Sequence, residues 1–82
     1  MPKEVIRSPN FLRCLKKLDK SYLGKVEKAI LKIIQNPEIG KPMRHNRKGT
    51  REVYVGPFRL SYSYNFSEDV LTFLDFYHKD EQ

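Results

Sequence analysis

Cysteine occurs once in the 82 residues, at Cys14, and tryptophan not at all. A lone thiol forms no intramolecular disulfide and no cysteine-based zinc site, so the chain must hold itself together by packing. Nothing approaches the roughly 18 consecutive apolar residues that a membrane span needs, and a soluble chain with no membrane partner is expected. The opening MPKEVIRSPNF has neither a continuous apolar segment nor a small-residue cleavage site, so no secretion signal is read and a cytoplasmic location is expected. Histidine is scarce as well. His45 and His78 stand far apart without cysteine beside them, so neither a metal nor any other cofactor is expected. Acidic residues are in deficit, ten against sixteen Lys and Arg, for a net charge of +6. That balance favours polyanionic partners, nucleic acid or an acidic protein, because neutralising phosphate releases counterions whatever the sequence.

A chain this short builds one core, and residues 1–82 are read as one domain. KEVIR, residues 3–7, is partly β-branched and precedes Ser-Pro-Asn, which makes it a first strand. Ser8 or Asn10 can cap the helix that follows, with Pro9 tolerated in its first turn. Phe11, Leu12, Leu15 and Leu18 then recur at helical spacing, and Cys14 on the same stripe reads as a buried thiol. A polar break at Asp19, Lys20 and Ser21, with Ser21 as the expected cap, leads into Leu23, Val26, Ile30, Ile33 and Ile34, which ends at Asn36-Pro37. Two helices so closely joined fold back as a hairpin and need a common surface.

PEIGKPMRHNRKGT, residues 37–50, reads as a long basic loop. REVYV, FRLSYSYN and VLTFLDFYHK follow as three strands at hairpin spacing. The last is apolar on both faces, with Val70, Leu74 and Phe76 expected on one and Leu71, Phe73 and Tyr77 on the other, as for an interior strand. The expected fold is α+β: strand, helix, helix, three strands, a mostly antiparallel sheet with the helical hairpin packed on one face.

In GPFRLSYSYNF, residues 56–66, alternation turns Phe58, Leu60, Tyr62 and Tyr64 toward the helices and Arg59, Ser61 and Ser63 toward the uncovered face. There Arg59 is expected to meet Tyr77, His78 and Lys79 from the last strand, bordered by the basic loop from Lys41 to Arg51. RNA cleavage through the 2′-hydroxyl requires a group that takes the hydroxyl proton, an arginine for the charge on the pentacoordinate phosphorus and an acid for the leaving 5′-oxygen. Arginine offers a permanent planar fork and histidine titrates near neutral pH, so Arg59 and His78 fit two of these parts. The same residue types also allow a plainer reading, with Arg59 paired to Glu52 or Glu68 across the hairpin and His78 merely exposed. Tyr62 and Tyr64 read as core, and His45 as a phosphate-side or solvent residue.

Four stretches in order, FLRCLKKLDKS, ILKIIQNPEIGKPM, GPFRLSY and FLDFYHK, give the chain a resemblance over nearly its whole length to the RelE/ParE superfamily, the small toxins of type II toxin–antitoxin pairs. KPMRHNRKG followed by GPFRLSY and YHK most resembles the YoeB branch. That resemblance implies a ribosome-dependent endoribonuclease that cuts messenger RNA and inhibits translation, with Arg59 stabilising the phosphorane and His78 as general acid beside Tyr77. Lys41 stands where the YoeB branch has a glutamate base, Glu52 and Tyr54 stand on the strand where RelE proper has lysines, and the tyrosine that RelE carries beyond the last strand has no counterpart. The base is therefore open among Glu52, Lys48 and Lys41. Lys41, Arg44, His45, Arg47, Lys48, Arg51, Tyr54, Tyr77 and Lys79 are the expected RNA contacts. A small acidic antitoxin, the ribosome and its mRNA are the implied partners, the chain being a monomer in isolation or part of a toxin–antitoxin hetero-oligomer. A ParE-like gyrase-inhibiting toxin and a non-catalytic relative that binds RNA or protein are the other functions the resemblance allows.

Overall fold

Strand β1 (Glu4–Arg7) leads into helix α1 (Pro9–Lys16), a 3-10 turn (Lys20–Tyr22) and helix α2 (Leu23–Gln35). Strands β2 (Lys41–Pro42), β3 (Thr50–Val55), β4 (Phe58–Asn65) and β5 (Val70–His78) follow. These elements come from a computed structural model that describes residues 1–43 and 49–81. The strands form one sheet in the order β1-β5-β4-β3-β2, with β1 parallel to β5 and the other pairs antiparallel. This is the expected α+β arrangement with one short strand more. No helix among the described residues is long and apolar enough to cross a membrane.

Ser8 begins α1. Its hydroxyl oxygen accepts from Phe11 N at 3.1 Å and its O–H donates to the Leu74 carbonyl at 2.9 Å, so one side chain caps the helix and ties it to β5. Between the helices the expected cap is displaced by two residues. Asp19, not Ser21, closes the turn, its carboxylate accepting from Ser21 N at 2.9 Å. That bond holds the Asp19 carboxyl below its ordinary range. Phe11, Val26, Ile30 and Ile33 from the helices close over Val55, Leu60, Tyr62, Leu71, Phe73 and Phe76 from the sheet.

β5 departs from simple alternation. Ser61 pairs with Asp75 but Tyr62 pairs with Phe73, which leaves Leu74 as an extra residue in a bulge. One inserted residue reverses the side-chain alternation beyond it. Phe76 therefore joins Leu71 and Phe73 in the core, instead of Val70 and Leu74 as expected, and Tyr77 passes to the uncovered face.

The segment expected to be loop contains β2, held by two side chains. Tyr62 accepts from Gly40 N and donates to the Pro37 carbonyl, both at 2.8 Å. Arg51 Nη1 donates to the carbonyls of Glu38 and Gly40 at 3.0 and 2.8 Å. A Cβ on Gly40 would fall 2.6 Å from the Tyr62 hydroxyl oxygen, so the close approach demands glycine.

Tyr62→Phe leaves the buried Gly40 N–H without an acceptor and is expected to lower stability by about 1–3 kcal/mol in urea denaturation, with Gly40→Ala at least as damaging. Burial pushes the Tyr62 phenol above its ordinary value of 10.0, although the Gly40 N–H and Arg51 pull the other way. The folded state thus favours the protonated phenol. Its contribution is complete below pH 10 and is lost as pH rises through the raised folded value. Above pH 10 the parent's denaturation midpoint should fall more steeply than that of Tyr62→Phe.

Candidate functional site

The helices cover one face of the sheet, and the opposite face of β3, β4 and β5 collects the polar side chains. Cross-strand register sets them in two rows. Lys41 lies opposite Glu52 and Glu52 opposite Ser61, while Tyr54 lies opposite Arg59 and Arg59 opposite Tyr77. Arg59 and Glu52 are therefore diagonal neighbours on adjacent strands, within reach of long side chains.

Arg59 Nη1 stands 3.7 Å from Glu52 Oε1, and the Tyr77 hydroxyl donates to Glu52 Oε2 at 3.4 Å. The Arg59 guanidinium also lies over the Tyr54 ring, 5.1 Å from its centroid. Glu52 keeps only 10% of its side chain exposed although no helix covers it, because its neighbours lie across it. Of the plainer pairings expected from sequence, the one with Glu52 forms. The outer side of Arg59 opens into a cavity of about 280 Å³ shared with Tyr54, Gly56, Pro57, Phe58 and Lys79. Lys79 is brought there by its N–H, which donates to the Pro57 carbonyl at 3.0 Å. The set comprises a guanidinium, a nearly covered carboxylate, a phenol, an exposed aromatic ring against the guanidinium and an ammonium.

His78 does not join it. It pairs with Phe58, and Phe58 points to the helix side, so successive residues Tyr77 and His78 leave β5 on opposite faces. The imidazole meets the Phe58 ring edge-on at 5.5 Å and lines a separate cavity of about 300 Å³ with Cys14, Leu18 and Phe76. Its Nδ1 accepts from Asp80 N at 3.2 Å. The expected convergence of Arg59 and His78 is overturned by the Leu74 bulge, which reverses the facing of everything after it.

Arg51, expected among the RNA contacts, lies opposite Tyr62 on the helix side instead, its guanidinium engaged with carbonyls of the segment before β2. Tyr54, Tyr77, Lys41 and Lys79 do border the uncovered face or its rim. Arg44, His45, Arg47 and Lys48 lie outside the described residues. Cys14 is half-buried, its S–H donating to Asp75 Oδ1 at 3.7 Å. Among the described residues no group of three or more His, Cys, Asp and Glu side chains could hold a metal ion. Three cations escaped notice in the sequence. Lys25, Lys28 and Lys32 line a groove between α2 and β3, and their helical spacing was the readable signal.

A family model described as the ParE toxin of the type II toxin–antitoxin system parDE matches residues 5–82. No curated protein matches the chain. Among solved structures, the RelBE2 toxin–antitoxin complex of Mycobacterium tuberculosis is similar at 26% identity and a TM-score of 0.83, covering 96% of this chain and 100% of that one. YafQ from E. coli strain BL21(DE3) is similar at 20% identity and a TM-score of 0.78, over 94% and 93% of the two chains. The intact E. coli RelBE toxin–antitoxin complex gives 13% identity and a TM-score of 0.77, over 90% and 93%. The last two likenesses are of fold.

Arg59→Ala removes the only cation within 4 Å of Glu52 among the described residues. It is expected to lower stability by about 1–3 kcal/mol, since a covered carboxylate then lacks its partner. Adding Glu52→Gln should recover part of that loss, giving non-additive denaturation energies in a double-mutant cycle.

Proposed function

The chain belongs to the ParE toxin family of type II toxin–antitoxin systems, and from that premise we propose that it is an endoribonuclease that cuts messenger RNA on the ribosome through Arg59 and Glu52. The observation that carries the reading is the 3.7 Å approach of the Arg59 guanidinium to the Glu52 carboxylate on the bare face of the sheet, beside a cavity open to solvent. At that distance the pair is close enough to orient both groups and loose enough for a phosphate to draw the guanidinium away. Charge-assisted hydrogen bonds are shorter than this when fully formed.

In this reaction the 2′-oxygen attacks the adjacent phosphorus, the bond to the 5′-oxygen breaks, and a 2′,3′-cyclic phosphate is left. Glu52 takes the 2′-hydroxyl proton and Arg59 neutralises the extra charge on the phosphorane. Lys79, on the rim of the same cavity, supplies the proton to the 5′-oxygen. Tyr77 holds Glu52 through its hydroxyl. His78 has no part in this scheme. The ribosome positions the message, which suits a protein too small to enclose a polymer. Several similar solved structures are toxin–antitoxin complexes, which supports a small acidic antitoxin as the partner that restrains this chain.

A second reading, a ParE-like toxin that inhibits DNA gyrase, is favoured by the family whose model matches and by the separation of His78 from Arg59. Induced expression is expected to halt growth and cut transcripts on ribosomes. Arg59→Ala and Glu52→Gln should each relieve the arrest, with cleavage in vitro reduced about a hundredfold or more, while His78→Ala stays toxic. Arrest without cleavage, together with inhibited supercoiling by purified gyrase, would establish the second reading. Intact message with unchanged supercoiling would leave a binding protein without chemistry.

A further inference from the structure

We propose that the RNA strand flanking the Arg59 cavity runs along the groove between α2 and the edge of β3, with phosphates on Lys25, Lys28 and Lys32 and a base stacked on Tyr54. This deepens the ribonuclease reading and rests on it for the identity of the polymer.

Lys25, Lys28 and Lys32 are spaced by three and four residues, so their side chains leave α2 along one stripe about 10 Å long. All three line a groove of about 380 Å³ whose other wall is Val53, Tyr54 and Val55. The groove stays open because β2 pairs only with Arg51 and Glu52, and beyond that point the outer edge of β3 has no neighbouring strand among the described residues. Tyr54 and Gly56 belong both to this groove and to the cavity holding Arg59 and Lys79. The two depressions therefore meet at Tyr54 and Gly56, and Tyr54 is 63% exposed.

The charge on this rail is not neutralised. Lys28 and Lys32 have no carboxylate within 4 Å among the described residues, and the Lys25 ammonium lies 5.9 Å from the Tyr22 ring centroid. Glu27, the one acid of α2, stands 3.8 Å from Arg7 of β1 instead. Unpaired ammonium groups in line, an apolar wall and an exposed aromatic face form the combination that holds single-stranded nucleic acid without reading its sequence. An acidic peptide would satisfy the lysines but would leave unexplained why the rail ends on an exposed ring over a guanidinium.

The test is fluorescence anisotropy with the full chain and a 2′-O-methyl RNA of about 12 nucleotides, which lacks the attacking hydroxyl, over a range of salt concentrations. The triple variant K25Q/K28Q/K32Q should bind with a salt slope shallower by about 2, from roughly 0.7 per single-stranded phosphate contact. Tyr54→Ala should weaken binding about tenfold at nearly unchanged slope. An unchanged slope in the triple variant overturns the proposal, as does tighter binding of an acidic peptide of the same length than of the RNA. If the parent cuts no message on ribosomes and the slope still falls in the triple variant, the track stands and the ribonuclease reading fails. If it cuts with an unchanged slope, the track alone is wrong.

Discussion

The extra residue in β5 is the constraint on which the arrangement of the uncovered face depends. By placing Leu74 opposite no residue of β4, the bulge carries Phe76 into the core, Tyr77 onto the face of Arg59 and His78 beneath the helix side. A regular β5 with the same sequence would have kept Phe76 out of the core. It would also have set Tyr77 on the helix face and turned His78 toward Arg59. The apolar gain from a buried phenylalanine, roughly 2–3 kcal/mol, favours the bulged register. Asp75 strengthens it, its carboxylate accepting from Phe76 N at 2.8 Å and from the Asn10 amide at 3.0 Å, so that the bulge is stitched to α1.

Given that register, the electrostatics of the face follow. Glu52 has Lys41 across from it on one side, Ser61 on the other, Arg59 on the diagonal and the Tyr77 hydroxyl above. A carboxylate so enclosed is held in one place by opposite charge and by a phenol that can donate to it. The same surroundings serve two ends. They keep a covered charge from destabilising an antiparallel sheet, and they fix a carboxylate beside a guanidinium that faces an open cavity.

Much of this was legible beforehand. The order of elements, the Ser8 cap, the two helices, the three long strands and the facing of Phe58, Leu60, Tyr62 and Tyr64 all follow from period and turn chemistry, which are local. What escaped was non-local or set by one residue. No glycine or proline marks the bulge at Leu74, so alternation carried past it misplaces Phe76 and His78. β2 is two residues long and owes its position to Tyr62, more than twenty residues away in sequence. Asp19 caps a 3-10 turn that the apolar pattern does not reveal, and α2 then starts from Tyr22 with no side-chain cap, so Ser21 is not its cap. Arg51 looked like one more cation of a basic loop, but its place opposite Tyr62 commits it to backbone carbonyls.

The distribution of charge follows from the same geometry. Between residues 10 and 35 the chain holds seven Lys and Arg against two acids, so the helical hairpin carries most of the net positive charge. Within that hairpin the lysine stripe of α2 runs along the open edge of β3 toward Tyr54. That edge is where the lysine stripe and the Arg59 face meet. On the proposed RNA track, a polymer held by the lysine stripe would pass Tyr54 and Gly56, which line both depressions, and reach the guanidinium beside Glu52, the most covered carboxylate among the described residues.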